Sequence, residues 1–148
     1  HTGIRRQRQM CIRDRPEIAY VLEGKLGLSS PVVVGMEDAP GKPDPTGLFA
    51  VVEQLEKRYG LPENLPVIYA GDTVGDLYTV QNARKQMPWR TWVGVGVLPP
   101  HVQESDEIQY VYLGKLLEAG AKVVLNSIKE LSVGEIANDK LFHILLQQ

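Results

Sequence analysis

Two short stretches of this 148-residue sequence combine residue types and spacings that could do chemistry. One is Gly71-Asp72-Thr73-Val74-Gly75-Asp76, where the apolar run Val67-Ile68-Tyr69-Ala70 ends in a carboxylate and a second carboxylate follows four residues later. If a helix opens there, residues at i and i+4 share one face, so Asp72 and Asp76 converge on one point. Two hard oxygen donors suit Mg²⁺, which takes one or two carboxylates and fills its other positions with water and substrate phosphate. A purely structural reading stands beside this one: Asp72 caps the helix and Asp76 favours its positive end. The other stretch is Gly41-Lys42-Pro43-Asp44-Pro45, also at the opening of a helix. A lysine held between Gly and Pro, where N-terminal N–H groups attract anions, can clamp a phosphate. Its plainer reading is a solvated lysine in a proline-stiffened loop.

The elements that must position these residues alternate between strand-like and helix-like patterns, as in an α/β fold with a mostly parallel sheet. A short helix is predicted over Pro16 to Leu26, with Ile18, Val21, Leu22 and Leu26 on one face and Gly27 stopping it. Pro31 to Gly35 reads as a buried strand. A helix follows from about Pro45 to Tyr59, with Asp44 as its cap, Pro45 at its first position, and Leu48, Val51, Val52, Leu55 and Tyr59 at helical spacing. Gly60 closes it. The strand Val67 to Ala70 feeds into the Asp72 loop and then a helix with Leu77, Val80 and Ala83 on one side. Thr91 to Leu98 is the next strand, with Val93, Val95 and Val97 alternating with Gly94 and Gly96, and Pro99-Pro100 ends it. A helix from about Ile108 to Glu118, a turn near Gly120 and a strand from Ala121 to Leu125 complete the pattern. Ser132 and Glu135 have capping-box spacing before a last helix carrying Ile136, Leu141, Ile144 and Leu145. In such sheets ligands bind at the carboxyl ends of the strands, where both candidate stretches fall.

Composition narrows the function classes. With 43% hydrophobic and 23% charged residues the chain has globular character and the length of one domain. No run approaches the roughly 18 apolar residues of a membrane helix. A single cysteine, Cys11, allows neither an internal disulfide nor a multi-cysteine metal site. The net charge of −2 is uneven: residues 1 to 15 hold Arg5, Arg6, Arg8, Arg13 and Arg15 against Asp14, a surplus of +4 that leaves −6 for the rest. An acidic body argues against nucleic acid as partner, because duplex affinity comes largely from Lys and Arg neutralising phosphates. Residues 1–15 begin with His1, lack an apolar h-region or amphipathic period, and resemble translated adapter DNA in Gln9 to Arg15. They are expected not to be native, with the native sequence starting near Pro16.

In this order and spacing, Gly41-Lys42-Pro43-Asp44-Pro45 and Gly71-Asp72-Thr73-Val74-Gly75-Asp76 resemble the third and fourth motifs of the haloacid dehalogenase (HAD) superfamily of phosphohydrolases. Subfamily I members carry a G-K-P-x-P lysine after the third core strand and G-D-T-x-x-D after the fourth. The Gly94-Val95-Gly96-Val97 strand and Gly120 to Leu125 followed by Ile128 to Leu131 are similar to the end of phosphoglycolate-phosphatase-like members. The resemblance spans residues 16–131, with 132–148 as a C-terminal helix beyond the usual ending.

It implies a three-layer Rossmann-like core and a defined reaction: an aspartate attacks the phosphate monoester, water hydrolyses the aspartyl-phosphate, and a second aspartate moves the proton. Mg²⁺ and a lysine neutralise the transferring phosphoryl group. By motif match Lys42 contacts the phosphate and the nucleophile, Asp72 binds Mg²⁺ directly, Asp76 binds it directly or through a water, and Gly71 and Thr73 support the loop. The sequence departs from the family at one decisive point, since neither a D-x-D pair after an apolar strand nor the second-motif Ser or Thr is present. Asp14, in Arg13-Asp14-Arg15, follows no strand. The chain is therefore expected to be an N-terminally truncated piece, without first strand and cap domain, inactive by itself, of a phosphatase parent. Its first strand would be central, so its loss leaves a rearranged sheet or exposed apolar edges.

Several other residues carry less chemistry. His101 after Pro99-Pro100 could approach a ligand but reads more simply as surface, Tyr110 and Tyr112 as ordinary helix residues with Tyr112 able to pack inward, and His143 as packing or surface. Trp89 and Trp92 could stack on a nucleotide, although packing at the sheet edge is the simpler account. Gly94-x-Gly96 lacks the third glycine of a dinucleotide fingerprint. Two alternatives to the enzyme reading stand: a non-catalytic Mg²⁺- or phosphate-binding module, and a regulatory domain of a multidomain enzyme. The expected partner is a small phosphorylated metabolite, with no nucleic acid or membrane, and the expected compartment is the cytoplasm. Substrate identity would be set by the missing cap.

Overall fold

The computed structural model describes residues 39–131. The expected helix over 16–26, the strand at 31–35, residues 1–15, His143 and the C-terminal helix from Ser132 lie outside that range. The chain divides into two compact units, His1–Glu63 and Asn64–Gln148.

In the first unit, α1 spans Thr46–Tyr59. Its start differs by one position from the sequence expectation: Pro45 is the capping residue, and its carbonyl accepts the Phe49 N–H at 3.0 Å. Asp44 still serves the helix end: its Oδ1 accepts the Thr46 backbone N–H at 2.9 Å and the Thr46 hydroxyl at 2.5 Å. Lys57 and Arg58 in the last turn complement the dipole, and Lys57 also meets Glu53 at 2.8 Å one turn back. Gly60 ends α1 in the left-handed conformation, φ 62°, with its N–H on the Glu56 carbonyl.

The second unit is a βαβαβ arrangement. Strands β1 (Val67–Gly71), β2 (Trp92–Val97) and β3 (Val123–Leu125) form a parallel sheet in the order β1-β2-β3. Helix α2 (Val74–Gln86) joins β1 to β2, and α3 (Asp106–Glu118) joins β2 to β3 after a 3₁₀ turn at Pro100–Val102. Two successive crossovers in the same direction across a parallel sheet put both helices on one face. The α/β class with a parallel sheet is thus as the sequence implied.

Side-chain size on β2 sets how closely the helices approach. Gly94 and Gly96 face α2 and α3, and a β-carbon on Gly94 would come 2.7 Å from Leu77 Cδ1, one on Gly96 3.1 Å from Leu116 Cδ1. The helix-side core comprises Leu77, Leu98, Val102, Leu116, Ala119 and Ala121. Val93 and Val95 point to the other face, where they pack with Leu125, Ile68, Ala70, Val123 and Leu131. The alternation of valine and glycine is therefore a packing device, not part of a nucleotide loop.

Element ends shift slightly from the sequence reading. Helix α3 starts at Asp106, two residues before Ile108, since Ser105 is extended and Asp106 and Glu107 favour the first turn. Strand β3 starts at Val123, not Ala121, because the Ala121 N–H is still bonded to the Leu116 carbonyl and Gly120, at φ 108°, turns the chain. Gln81 reinforces that corner by donating its Nε2–H to the Ala119 carbonyl. Trp92 is 3% exposed and donates its indole N–H to the Met87 carbonyl at 2.9 Å, with the Arg90 guanidinium 5.7 Å from its ring. Trp89, by contrast, is 74% exposed and is not packed at the sheet edge as Trp92 is. Among the described residues no helix is long and apolar enough to cross a membrane.

Candidate functional site

The loop from Gly71 to Asp76 sits where parallel α/β sheets present their ligand sites, between the carboxyl end of β1 and the first turn of α2. Its geometry follows from one residue pair. Thr73 is the N-cap in extended conformation, φ −126°, and its hydroxyl oxygen accepts the Asp76 backbone N–H at 3.3 Å. Asp76 Oδ2 accepts the Thr73 N–H at 3.0 Å and lies 2.7 Å from the Thr73 hydroxyl. This is a capping box in which aspartate stands in the place more often taken by Glu or Gln. The cap is thus Thr73, not Asp72.

Asp76 is buried, with 2% of its surface exposed. Its second oxygen, Oδ1, accepts the Tyr69 hydroxyl at 3.0 Å. Tyr69 and Gly71 are two residues apart on β1 and so face the same side of the sheet, the side that α2 covers. The Gly71 position leaves room for this carboxylate: a β-carbon there would overlap the Cβ and Cγ of Asp76. A carboxylate can accept about four hydrogen bonds. The Thr73 N–H, the Thr73 hydroxyl and the Tyr69 hydroxyl all bind Asp76, and its first commitment is to the shape of the loop.

Asp72 has the opposite environment. It is exposed in the bend between β1 and α2. Its backbone carbonyl accepts the Tyr112 hydroxyl from α3 at 2.5 Å. Tyr112 is half-buried, packs against the helix-side core, and meets the His101 ring edge-on with centroids 6.5 Å apart. Burial pushes the Tyr112 hydroxyl above its usual range near 10, and the Asp72 and Asp76 charges push it the same way. It therefore remains a donor at neutral pH. Tyr110 is 79% exposed.

Lys42 lies in the first unit, exposed on a turn closed by the Asp44 N–H to the Gly41 carbonyl at 3.1 Å, with a cis Lys42–Pro43 peptide. Asp72, Thr73 and Asp76 belong together in the second unit. Among the described residues no group of three or more His, Cys, Asp or Glu side chains gathers as a ready-made metal cage. Mg²⁺ does not require one, since one or two carboxylates with water and phosphate suffice. An exposed Asp72 carboxylate at a helix mouth fits that donor set, with Asp76 as the buried partner that holds the loop.

Sequence reasoning missed Tyr69 and gave Tyr112 no part in this loop. A tyrosine inside an otherwise apolar strand was the available signal for Tyr69, because a buried phenol needs a partner. Nothing local marks Tyr112, whose partner is 40 residues away.

No protein-family model matches the chain, and no curated protein matches it.

Proposed function

We propose that this chain carries the magnesium- and phosphate-binding part of a cytoplasmic HAD-type phosphohydrolase that acts on a small phosphorylated metabolite. The observation that supports it best is the Gly71-to-Asp76 loop at the carboxyl end of a parallel strand, with one carboxylate exposed and the other holding the loop from inside. Asp72 would ligate the metal, Asp76 and Thr73 would hold the backbone that presents it, and Lys42 would bind the phosphate. The metal, when bound, would supply positive charge at the phosphoryl group. The sequence holds no Asp-x-Asp pair, so the nucleophile and the proton-transferring aspartate are not among its residues. On this reading the polypeptide by itself should not turn over p-nitrophenyl phosphate.

Mn²⁺ titration followed by the EPR signal of the free ion tests the metal site directly. Saturable binding that Asp72→Asn removes supports the reading; equal binding by both proteins sinks it. The coding DNA upstream of the Pro16 codon tests the enzyme: an apolar strand ending in Asp-x-Asp is expected, and its absence ends the hydrolase reading. In that case the buried commitment of Asp76 to Thr73 and Tyr69 favours the alternative, a module that binds without turnover.

A further inference from the structure

The peptide unit joining Asp72 to Thr73 is held at both of its polar ends. Its carbonyl accepts the Tyr112 hydroxyl at 2.5 Å, and its N–H donates to Asp76 Oδ2 at 3.0 Å. A peptide unit is planar and rigid, so pinning both groups fixes its orientation and restricts the Asp72 torsion on one side and the Thr73 torsion on the other. The two pins have different origins. Asp76 is local, three residues from Thr73. Tyr112 comes from α3, 40 residues away, and its ring is itself anchored against the core cluster containing Leu77, Leu98 and Leu116. The hydroxyl therefore transmits the position of the helix-side core to the one loop residue whose carboxylate reaches solvent.

We infer that Tyr112 is a positioning residue for Asp72: it touches no ligand, and it holds the Asp72 backbone so that the exposed carboxylate stays in the orientation that binds a divalent cation. This rests on the proposed role of Asp72 as a metal ligand. Preorganising a ligand removes ordering cost from the binding step, so losing the tie weakens binding even when the fold survives.

The test uses the full 148-residue chain and Mn²⁺ as the probe. Tyr112→Phe keeps the packed ring and deletes only the hydroxyl. Its dissociation constant for Mn²⁺ should rise about three- to tenfold, the range expected for one lost hydrogen bond. Backbone amide exchange at residues 72–75, measured without metal, should accelerate. Tyr112→Leu, also without a hydroxyl, should weaken binding in the same way and guards against an effect peculiar to one variant. If the wild type binds Mn²⁺, Asp72→Asn does not, and both Tyr112 variants bind like the wild type, the positioning role is wrong while the metal site stands. If the wild type binds no better than Asp72→Asn, the metal reading fails and this inference falls with it, whatever the exchange rates do. A lowered unfolding midpoint with unchanged Mn²⁺ affinity also overturns it, since that is the mark of a merely structural tyrosine.

Discussion

Asp76 fills the space that a side chain on Gly71 would need. The last residue of β1 and the first turn of α2 approach so closely that a β-carbon on Gly71 would overlap both the Cβ and the Cγ of Asp76. The requirement for glycine is therefore one of volume. A second consequence is that any residue placed there must move Asp76, and with it the bonds to Thr73 and Tyr69.

Gly71→Ala is accordingly expected to destabilise the protein by about 2–3 kcal/mol, combining overpacking with loss of part of the capping box. The obstructing atoms sit next to the α2 backbone, so a simple side-chain rotation cannot relieve the overlap. Urea unfolding followed by circular dichroism checks this. A shift below about 0.5 kcal/mol would show that the loop relaxes at little cost.

Asp76 separates acceptor geometry from charge. In Asp76→Asn the amide oxygen can still accept from Thr73 while the NH₂ donates to the Tyr69 oxygen, so stability should change by less than about 1 kcal/mol. Asp76→Ala removes the acceptor of the Thr73 N–H and of both hydroxyls at a partly buried place and should cost about 1–3 kcal/mol. Equal losses in the two variants would mean that the charge, not the hydrogen bonding, holds the loop.

The glycine face of β2 predicts an order of sensitivity. Gly94→Ala meets the outer methyl of Leu77 closest, at 2.7 Å, the far end of a side chain, and should cost about 1–2 kcal/mol. Leu116 is fully buried against the same face, and Leu116→Ala should cost about 2–5 kcal/mol through the cavity it leaves. Chemical denaturation of both variants checks the order, which reverses if α3 collapses onto the sheet more readily than α2 adjusts.

Tyr112 gives the fold an alkaline limb. Its hydroxyl titrates above the usual tyrosine range, through burial first and then the Asp72 and Asp76 charges, so between the unfolded and folded values the native state holds the proton more tightly. That contribution is fully present below pH about 10 and is lost as pH rises through the folded value. Stability measured from pH 8 to 11 should fall more steeply in the wild type than in Tyr112→Phe. Parallel curves would remove Tyr112 as the cause.

Local sequence carried much of this architecture because its signals are local. Leu77, Val80 and Ala83 share a helix face by spacing alone, and all three are buried; Gly60 marks a helix end because an αL residue is needed there. The valine and glycine alternation of β2 declared a strand in the same way. Asp72 and Asp76 could be paired on paper because i and i+4 lie close on any helix. Their division of labour could not. Whether a carboxylate faces water or is enclosed depends on what lies across from it, and here that is Gly71 and Tyr69 beneath Asp76, with nothing covering Asp72 to the same degree. The Tyr112 tie to the Asp72 carbonyl is further still from the sequence, since it exists only because two right-handed crossovers lay α3 beside α2 on the same face of the sheet. Spacing along the chain decides which residues can share an element, whereas burial and hydrogen-bond partnership are properties of elements packed together.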